Sequence, residues 1–335
     1  MALKFSKEEE IIKNLLFNNK KLDKADFDEI DFDKFVKLSS SHLILPLIFI
    51  KLKQKNLLNY IPEELVKYLK EIYEINLNRN KELIKETKII TNILKKNKIN
   101  YVLLKGTANI LRNLYKDIGE RMVGDIDILV ELENGNKTIK LLNKIGYYNL
   151  TDDIYFDFRH LNRIINKDKI FAVEIHTRLF DKRNNLVDLK NTEKLEEIYV
   201  FNKQTSANYN IYNFQINDFG YSQVNYSYRS LYDHFLLSKN EISNNSNDIV
   251  KERFKKRYLL IARRLGIDYY FKYKLEKDVI GSIRFRLKKK FKVYNNFDKL
   301  FFRIKVIITN LPKQIFVLIK NKKYRKYLYK KIIAR

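Results

Sequence analysis

Residues 101–130, YVLLKGTANILRNLYKDIGERMVGDIDILV, constrain this chain more than any other stretch. A short apolar run ends in Lys105-Gly106-Thr107, a helix-like segment follows, and a second strand-like run carries Asp125-Ile126-Asp127. Residues i and i+2 of a strand point to the same face, so Asp125 and Asp127 stand side by side near a glycine turn. Adjacent carboxylates repel unless a cation lies between them. A divalent metal such as Mg²⁺ meets that need with oxygen ligands and commonly brings a phosphate with it. The pattern outlines a phosphoryl- or nucleotidyl-transfer site. The pair opens the apolar run IDILV, which puts it on a strand, and Gly124 just before it permits an unusual backbone approach.

Glu174 lies inside FAVEIHTRL, an otherwise apolar strand. A buried carboxylate without a partner is costly, so Glu174 either faces solvent or has a cationic neighbour. That neighbour is a metal shared with Asp125 and Asp127, or a salt bridge to Arg178 or Arg121. His176 shares the face of Glu174 as a metal neighbour, a hydrogen-bond partner to substrate, or a structural histidine. His42, His160 and His234 show no ligand spacing with it, which argues against zinc. Lys105-Gly106-Thr107 is not a Walker loop. A strand–glycine–helix turn still presents backbone N–H groups to a phosphate, with a hydroxyl from Thr107 and a charge from Lys105. No nucleophile elbow is present.

The flanks read as helix. Ser6-Lys-Glu-Glu9 is a capping box, a second helix covers part of 41–54, and Pro62 opens a long helix to about residue 98. From Tyr101 the expected order is strand 101–104, turn 105–107, helix 107–115, strand 125–132 and helix 135–145, stopped by Gly146. A hairpin turn at Asn166-Lys-Asp-Lys169 precedes strand 171–176. Segments 199–203 and 210–216 read as extended, with Tyr212, Phe214 and Ile216 on one face. From 228 the pattern is helical again, with a loop at 244–247. The fold class is therefore α/β (α+β), a small mixed-sheet core flanked by N- and C-terminal helices.

With 335 residues, 45% of them hydrophobic, the chain can bury a substantial core. The absence of cysteine removes disulfides, thiolate zinc sites and cysteine nucleophiles. The start MALKFSKEEE lacks the apolar centre of a signal peptide. The longest apolar run, Leu43 to Ile50, is too short for a bilayer. We expect a cytoplasmic protein, with peripheral attachment to the inner membrane face as an extension.

Charge is segregated. Residues 251–335 hold 28 Lys and Arg against 5 Asp and Glu, so +23 of the formal +27 lies there and +4 in the first 250 residues. Compositional bias toward lysine acts on both parts alike, so the basic region is expected to face something anionic. Segment 298–320, interrupted by Pro312, has three readings. It forms core helices with a solvated basic face, binds RNA through Lys, Arg and aromatic residues, or docks on an anionic membrane surface.

The set LLKGTA (103–108), ERMVGDIDILV (120–130) and VEIHTRL (173–179) resembles the uncharacterised nucleotidyltransferase family of the DNA polymerase β-like nucleotidyltransferase superfamily. The shared pattern is a strand ending in Leu-Lys-Gly, an arginine shortly before an Asp-Ile-Asp strand, and a later strand with a carboxylate followed at i+2 by histidine. Arg121, Asp125, Asp127, Glu174 and His176 fall on those positions. Gly106-Thr107 departs from the usual Gly-Ser or Gly-Gly but keeps a hydroxyl. The Gly-to-Asp spacing exceeds the minimal superfamily pattern and suits this family. The likeness covers roughly residues 5–270.

The resemblance implies transfer of an NMP from an NTP to an unidentified hydroxyl-bearing acceptor. Asp125, Asp127 and Glu174 are then the catalytic carboxylates and the ligands of a two-metal Mg²⁺ site. Lys105, Gly106, Thr107 and Arg121 bind phosphate, and His176 and Arg178 lie near substrate. The chain divides into a helical region 1–98, a nucleotidyltransferase core 99–225 and a basic helical region 226–335. The rivals are a catalytically silent nucleotidyltransferase-fold protein that binds nucleotide, RNA or a protein, and a peripheral membrane factor in surface-polysaccharide assembly.

Overall fold

The structure, a computed structural model, describes residues 5–17, 20–149, 159–180, 186–187, 189–239, 249–322, 325–326 and 329. The first hundred residues are helical. In the capping box that opens α1 (Lys7–Phe17), Glu9 N donates to Ser6 Oγ and Ser6 N to Glu9 Oε2, both at 3.3 Å. The helix expected within 41–54 is α3 (Leu45–Gln54), and α2 (Phe32–Ser41) precedes it. Leu43, at φ 54°, separates the two. α4 (Glu63–Lys96) is 34 residues long, follows Pro62, and buries Leu69, Leu83, Ile90 and Leu94 completely.

The middle of the chain alternates strands and helices. β1 (Tyr101–Leu103) leads into α5 (Lys105–Leu111), then β2 (Asp125–Val130) and α6 (Gly135–Asn143). The turn expected at 105–107 is already the first turn of α5. Gly146, at φ +89°, supplies the left-handed residue that closes the turn after α6. β3 (Tyr148–Asn149), β4 (Ile164–Ile165), β5 (Ala172–His176), β6 (Thr192–Leu195) and β7 (Ile198–Phe201) complete the sheet. Its order is β3-β4-β5-β2-β1-β7-β6. β2 runs parallel to β5 and antiparallel to β1, and β1 runs parallel to β7, so the sheet is mixed.

The extended segment expected at 210–216 is helical instead. α7 (Lys203–Tyr212) starts where Asn202 Oδ1 accepts from Thr205 N at 2.9 Å, and a π turn over Asn213–Asn217 continues it. The buried residues Thr205, Tyr209 and Tyr212 recur at helical spacing, which outweighs an alternation only five residues long. α8 (Gly220–Gln223), α9 (Tyr228–Ser238), α10 (Arg253–Arg264), α11 (Val279–Lys290) and α12 (Lys292–Lys320) follow. The loop expected at 244–247 lies outside the described residues.

Alternation along β2 splits its side chains between two environments. Ile126, Ile128 and Val130 enter the main apolar cluster, which takes in Ile12, Leu83 and Leu259 from the flanking helices. The opposite face carries Asp125 and Asp127 and then Leu129, which joins a second cluster with Leu104, Phe180, Phe201 and Tyr209. The carboxylates therefore sit where that face passes from polar to apolar.

The loop before β2 is fixed from behind by α4. Asn76 Nδ2 donates to the carbonyls of Gly119 (2.8 Å) and Arg121 (3.1 Å), and Asn80 Nδ2 to those of Ile118 (2.6 Å) and Arg121 (2.8 Å). Two wholly or nearly buried amides thus satisfy carbonyls that the sheet does not reach. Asn80→Ala takes the amide donor from the Ile118 carbonyl and leaves that of Arg121 with Asn76 alone, and it is expected to lower stability by about 1–3 kcal/mol in urea unfolding. An unchanged midpoint would show that the clamp carries no weight.

Candidate active site

Register brings the site together. In the parallel pairing of β2 with β5, Asp127 lies opposite Glu174 and Asp125 opposite Ala172. Two carboxylates from different strands therefore stand on one face, with His176 one pleat further along. Asp127 Oδ1 accepts from Lys105 Nζ at 2.6 Å and contacts His176 Nε2 at 2.8 Å. The same imidazole nitrogen is 3.7 Å from Glu174, too long for a hydrogen bond. Asp125, at the start of β2, pairs with Arg163, which follows the short bridge from His160 to His176.

These contacts set the charges. Burial works against ionisation of Asp127, but Lys105 and His176 outweigh it and hold its carboxyl far below the usual range. Burial likewise opposes charge on Lys105, and Asp127 more than offsets it, raising the ammonium above the ordinary lysine value. The His176 ring draws Glu174 down against its burial. Asp125 differs. Burial pushes its pKa up, Arg163 opposes this, and the neighbouring Glu174 and Asp127 push it further up.

Lys105, whose ammonium meets Asp127, adopts φ 52°, a left-handed conformation unusual for a residue with a side chain. Such strain concentrates at functional positions. Gly106 is required for packing, since a Cβ there would lie 2.8 Å from Val123. At Gly124 a Cβ would meet nothing within 4 Å, and the residue lines a cavity, so the backbone there is open to a ligand.

That cavity has a volume of about 850 Å³, within the range of small-molecule pockets. Its wall includes Lys105, Gly106, Arg121, Asp125 and Asp127, and on the far side Tyr209, Asn213, Asp218, Arg229 and Asp233. Lys288, Lys289 and Lys299 from α11 and α12 also line it. Glu174 and His176 are not part of this lining.

Two residues expected at phosphate have other partners. Thr107 is wholly buried, and its hydroxyl donates to the carbonyl of Asp125 at 3.2 Å, so it braces β2 and does not face the cavity. Arg121 lines the cavity, but its guanidinium is ion-paired with Asp233 of α9 at 2.9 Å. Tyr115 Oη donates to the same carboxylate at 2.7 Å. The salt bridges from Glu174 to Arg121 or Arg178 raised by the sequence are replaced by the His176 contact. Asp233 and Arg229, four residues apart on α9, were missed. Their only sequence signal is an i,i+4 Arg/Asp pair in YRSLYDHF, which reads as an ordinary surface pair.

The raised pKa of Asp125 has a consequence for stability. Its ionised form is disfavoured by the fold, so the stability linked to its proton is full below the unfolded pKa and is lost as pH rises through the folded one. Without divalent metal, Asp125→Asn is therefore expected to melt above the wild type at neutral pH, and the gap should close on acidification below the folded pKa. A variant that melts lower at neutral pH would show that the Arg163 pair outweighs the repulsion.

No curated protein and no solved structure matches the chain. The model of the family described as uncharacterised nucleotidyltransferase matches residues 28–219, from the helices before the sheet to the end of the π turn, and so covers the carboxylates of β2 and β5. With more than half of its length matched, and the paired carboxylates within the match, this chain belongs to the uncharacterised nucleotidyltransferase family.

Proposed function

We propose that the chain transfers a nucleoside monophosphate from an NTP to a hydroxyl-bearing acceptor and releases pyrophosphate, with Mg²⁺ bound by Asp125, Asp127 and Glu174. The observation that carries this reading is the register that sets Glu174 against Asp127, which itself walls a cavity of about 850 Å³ together with Lys105 and Arg121. The donors suit a divalent cation. Of that set, Asp127 and Glu174 offer ligand atoms that lie, with one from His176, within 4.8 Å of one another, whereas Asp125 is not in this group and pairs with Arg163. Carboxylates suit Mg²⁺, and the imidazole extends the set toward Mn²⁺. Such a cation neutralises triphosphate charge and lowers the pKa of an acceptor hydroxyl.

The chain's own groups divide the remaining work. Glu174, held ionised by the His176 ring against its burial, serves as the third carboxylate of the cation set. Lys105 offers its ammonium, and Gly106 its uncluttered backbone, to the β- and γ-phosphates. Thr107 holds Asp125 in place through the carbonyl contact. Arg229 has its pKa lowered to about 10, first by the neighbouring Arg121 and then by burial. Arg121 is paired with Asp233, and Arg229 in the same wall is influenced by both Asp233 and Asp218, so a phosphate there would meet two guanidiniums. His176 orients Asp127, and Arg178 lies just beyond it on the chain. The division into a helical region 1–98, a core 99–225 and a basic region 226–335 belongs to the same proposal, as does an anionic partner for residues 251–335.

One observation favours a second reading, a silent nucleotidyltransferase fold that binds nucleotide without turnover. Lys105 and His176 already neutralise Asp127, and Arg163 pairs with Asp125. The carboxylates thus persist without metal at a lower cost than an unpaired cluster.

Calorimetric titration of each NTP, with and without Mg²⁺, into wild type and Asp125→Ala/Asp127→Ala tests the proposal. Metal-dependent binding that the double variant loses is expected, and an acceptor screen with labelled nucleotide then follows, in which Asp127→Ala should show no turnover. Because Asp125 holds its proton to higher pH than an ordinary aspartate, metal-dependent binding should begin to weaken at a higher pH on acidification than an ordinary aspartate would give. Binding that ignores both the metal and the substitutions would overturn the metal site. Metal-dependent binding with no transfer to any acceptor would favour the silent reading.

A further inference from the structure

α12 carries a long apolar stripe that faces away from the rest of the chain. Positions 293, 297, 300, 304, 308, 311, 315 and 319 step by three and four, so their side chains share one helical face. All are exposed, among them Val293 at 82%, Phe297 at 65% and Ile308 at 63%. At 1.5 Å per residue the stripe is roughly 40 Å long. A continuous apolar surface of this extent is unusual on a lone soluble chain and marks an interaction site. Of the three readings of this segment, packing as core is therefore not met along this face, and Pro312 does not break the helix.

The opposite side of the helix is tied down. Asp298 accepts from Arg284 at 2.8 Å and Lys288 at 3.0 Å, and the ring of Phe302 meets that of Phe219 edge-on at 5.3 Å. The stripe is thus held outward by the fold. Arg303 and Lys305 lie on its two flanks, and Asp298 is the only acidic residue between 279 and 335. A second copy laid along the stripe would set Lys and Arg against Lys and Arg with no carboxylate to pair them. RNA is a poor match because the stripe is mostly Ile, Leu and Val, which do not stack on bases. No helix among the described residues is long and apolar enough to cross a membrane.

We infer that α12 lies in the plane of an anionic lipid surface, with the stripe from Val293 to Ile319 set into the acyl boundary and the flanking Arg303 and Lys305 on lipid phosphates. Apolar burial and attraction to anionic headgroups act together in such a helix. Because Lys299 of the same helix lines the cavity, the lipid surface and the candidate active site are held in a fixed relation. The inference stands apart from the nucleotidyl reading, since it uses none of the carboxylates.

The test is co-sedimentation of the full chain with vesicles of phosphatidylcholine alone or mixed with phosphatidylglycerol, for wild type and for Ile304→Glu/Ile308→Glu. Both substituted side chains are exposed, so the variant should melt with the wild type. Wild type should pellet with the anionic vesicles about tenfold more than with the neutral ones, and the variant should lose that excess. Arg303→Glu should weaken it, as should raised salt. Failure to pellet with anionic vesicles would overturn the inference, and so would pelleting that the variant retains. A gel shift with labelled RNA, or a dimer in sedimentation velocity, that the variant abolishes while vesicles are ignored would assign the stripe to that partner instead. NTP calorimetry on the same preparations reads the other site independently.

Discussion

A carboxylate at the centre of a sheet must be compensated, and around Asp127 the structure answers that requirement twice over. Lys105 and His176 both meet the same oxygen. The charge on Lys105 depends on Asp127 just as the ionisation of Asp127 depends on Lys105. Neither group would keep its charge in that position alone. The left-handed backbone at Lys105, the packing that excludes a side chain from Gly106 and the Thr107 brace on Asp125 all serve to hold this pair.

The pair in turn depends on strand register and on what fixes the strands. A shift of β5 against β2 by one residue would turn Glu174 to the opposite face and bring an apolar neighbour against Asp127. The buried Ile126, Ile128, Val173 and Ile175 on the other face forbid that slip. Ahead of β2, the α4 asparagines hold the loop that delivers Arg121. Across the cavity, α9 supplies Asp233 to neutralise Arg121, and the π turn after α7 supplies wall residues. Turns of this kind recur at functional sites because they re-aim a few side chains without ending the helix.

Much of this was legible in the sequence. Asp125-Ile-Asp127 and Glu174-Ile-His176 share a period of two, and that period alone puts each pair on one face. The match of Asp127 with Glu174 was not legible, because register is a relation between strands 47 residues apart. The roles of Thr107 and Arg121 were expected at phosphate from the resemblance. The structure gives both a protein partner, a carbonyl and a carboxylate, that no spacing rule encodes. Segment 210–216 was misread as extended because alternation over five residues cannot be told from one side of a helical turn. In the basic region the sign of the charge was plain, but whether its apolar residues were covered depended on tertiary packing.

The central claim is that Asp127 and Glu174, brought together by register, form a cation and nucleotide site. Diffraction from crystals grown with Mn²⁺ and a non-hydrolysable NTP analogue tests it most directly. The account predicts an anomalous peak bridging Asp127 and Glu174, with the triphosphate in the cavity beside Lys105. A nucleotide bound elsewhere, with Lys105 still on Asp127 and no peak between the two carboxylates, would contradict it.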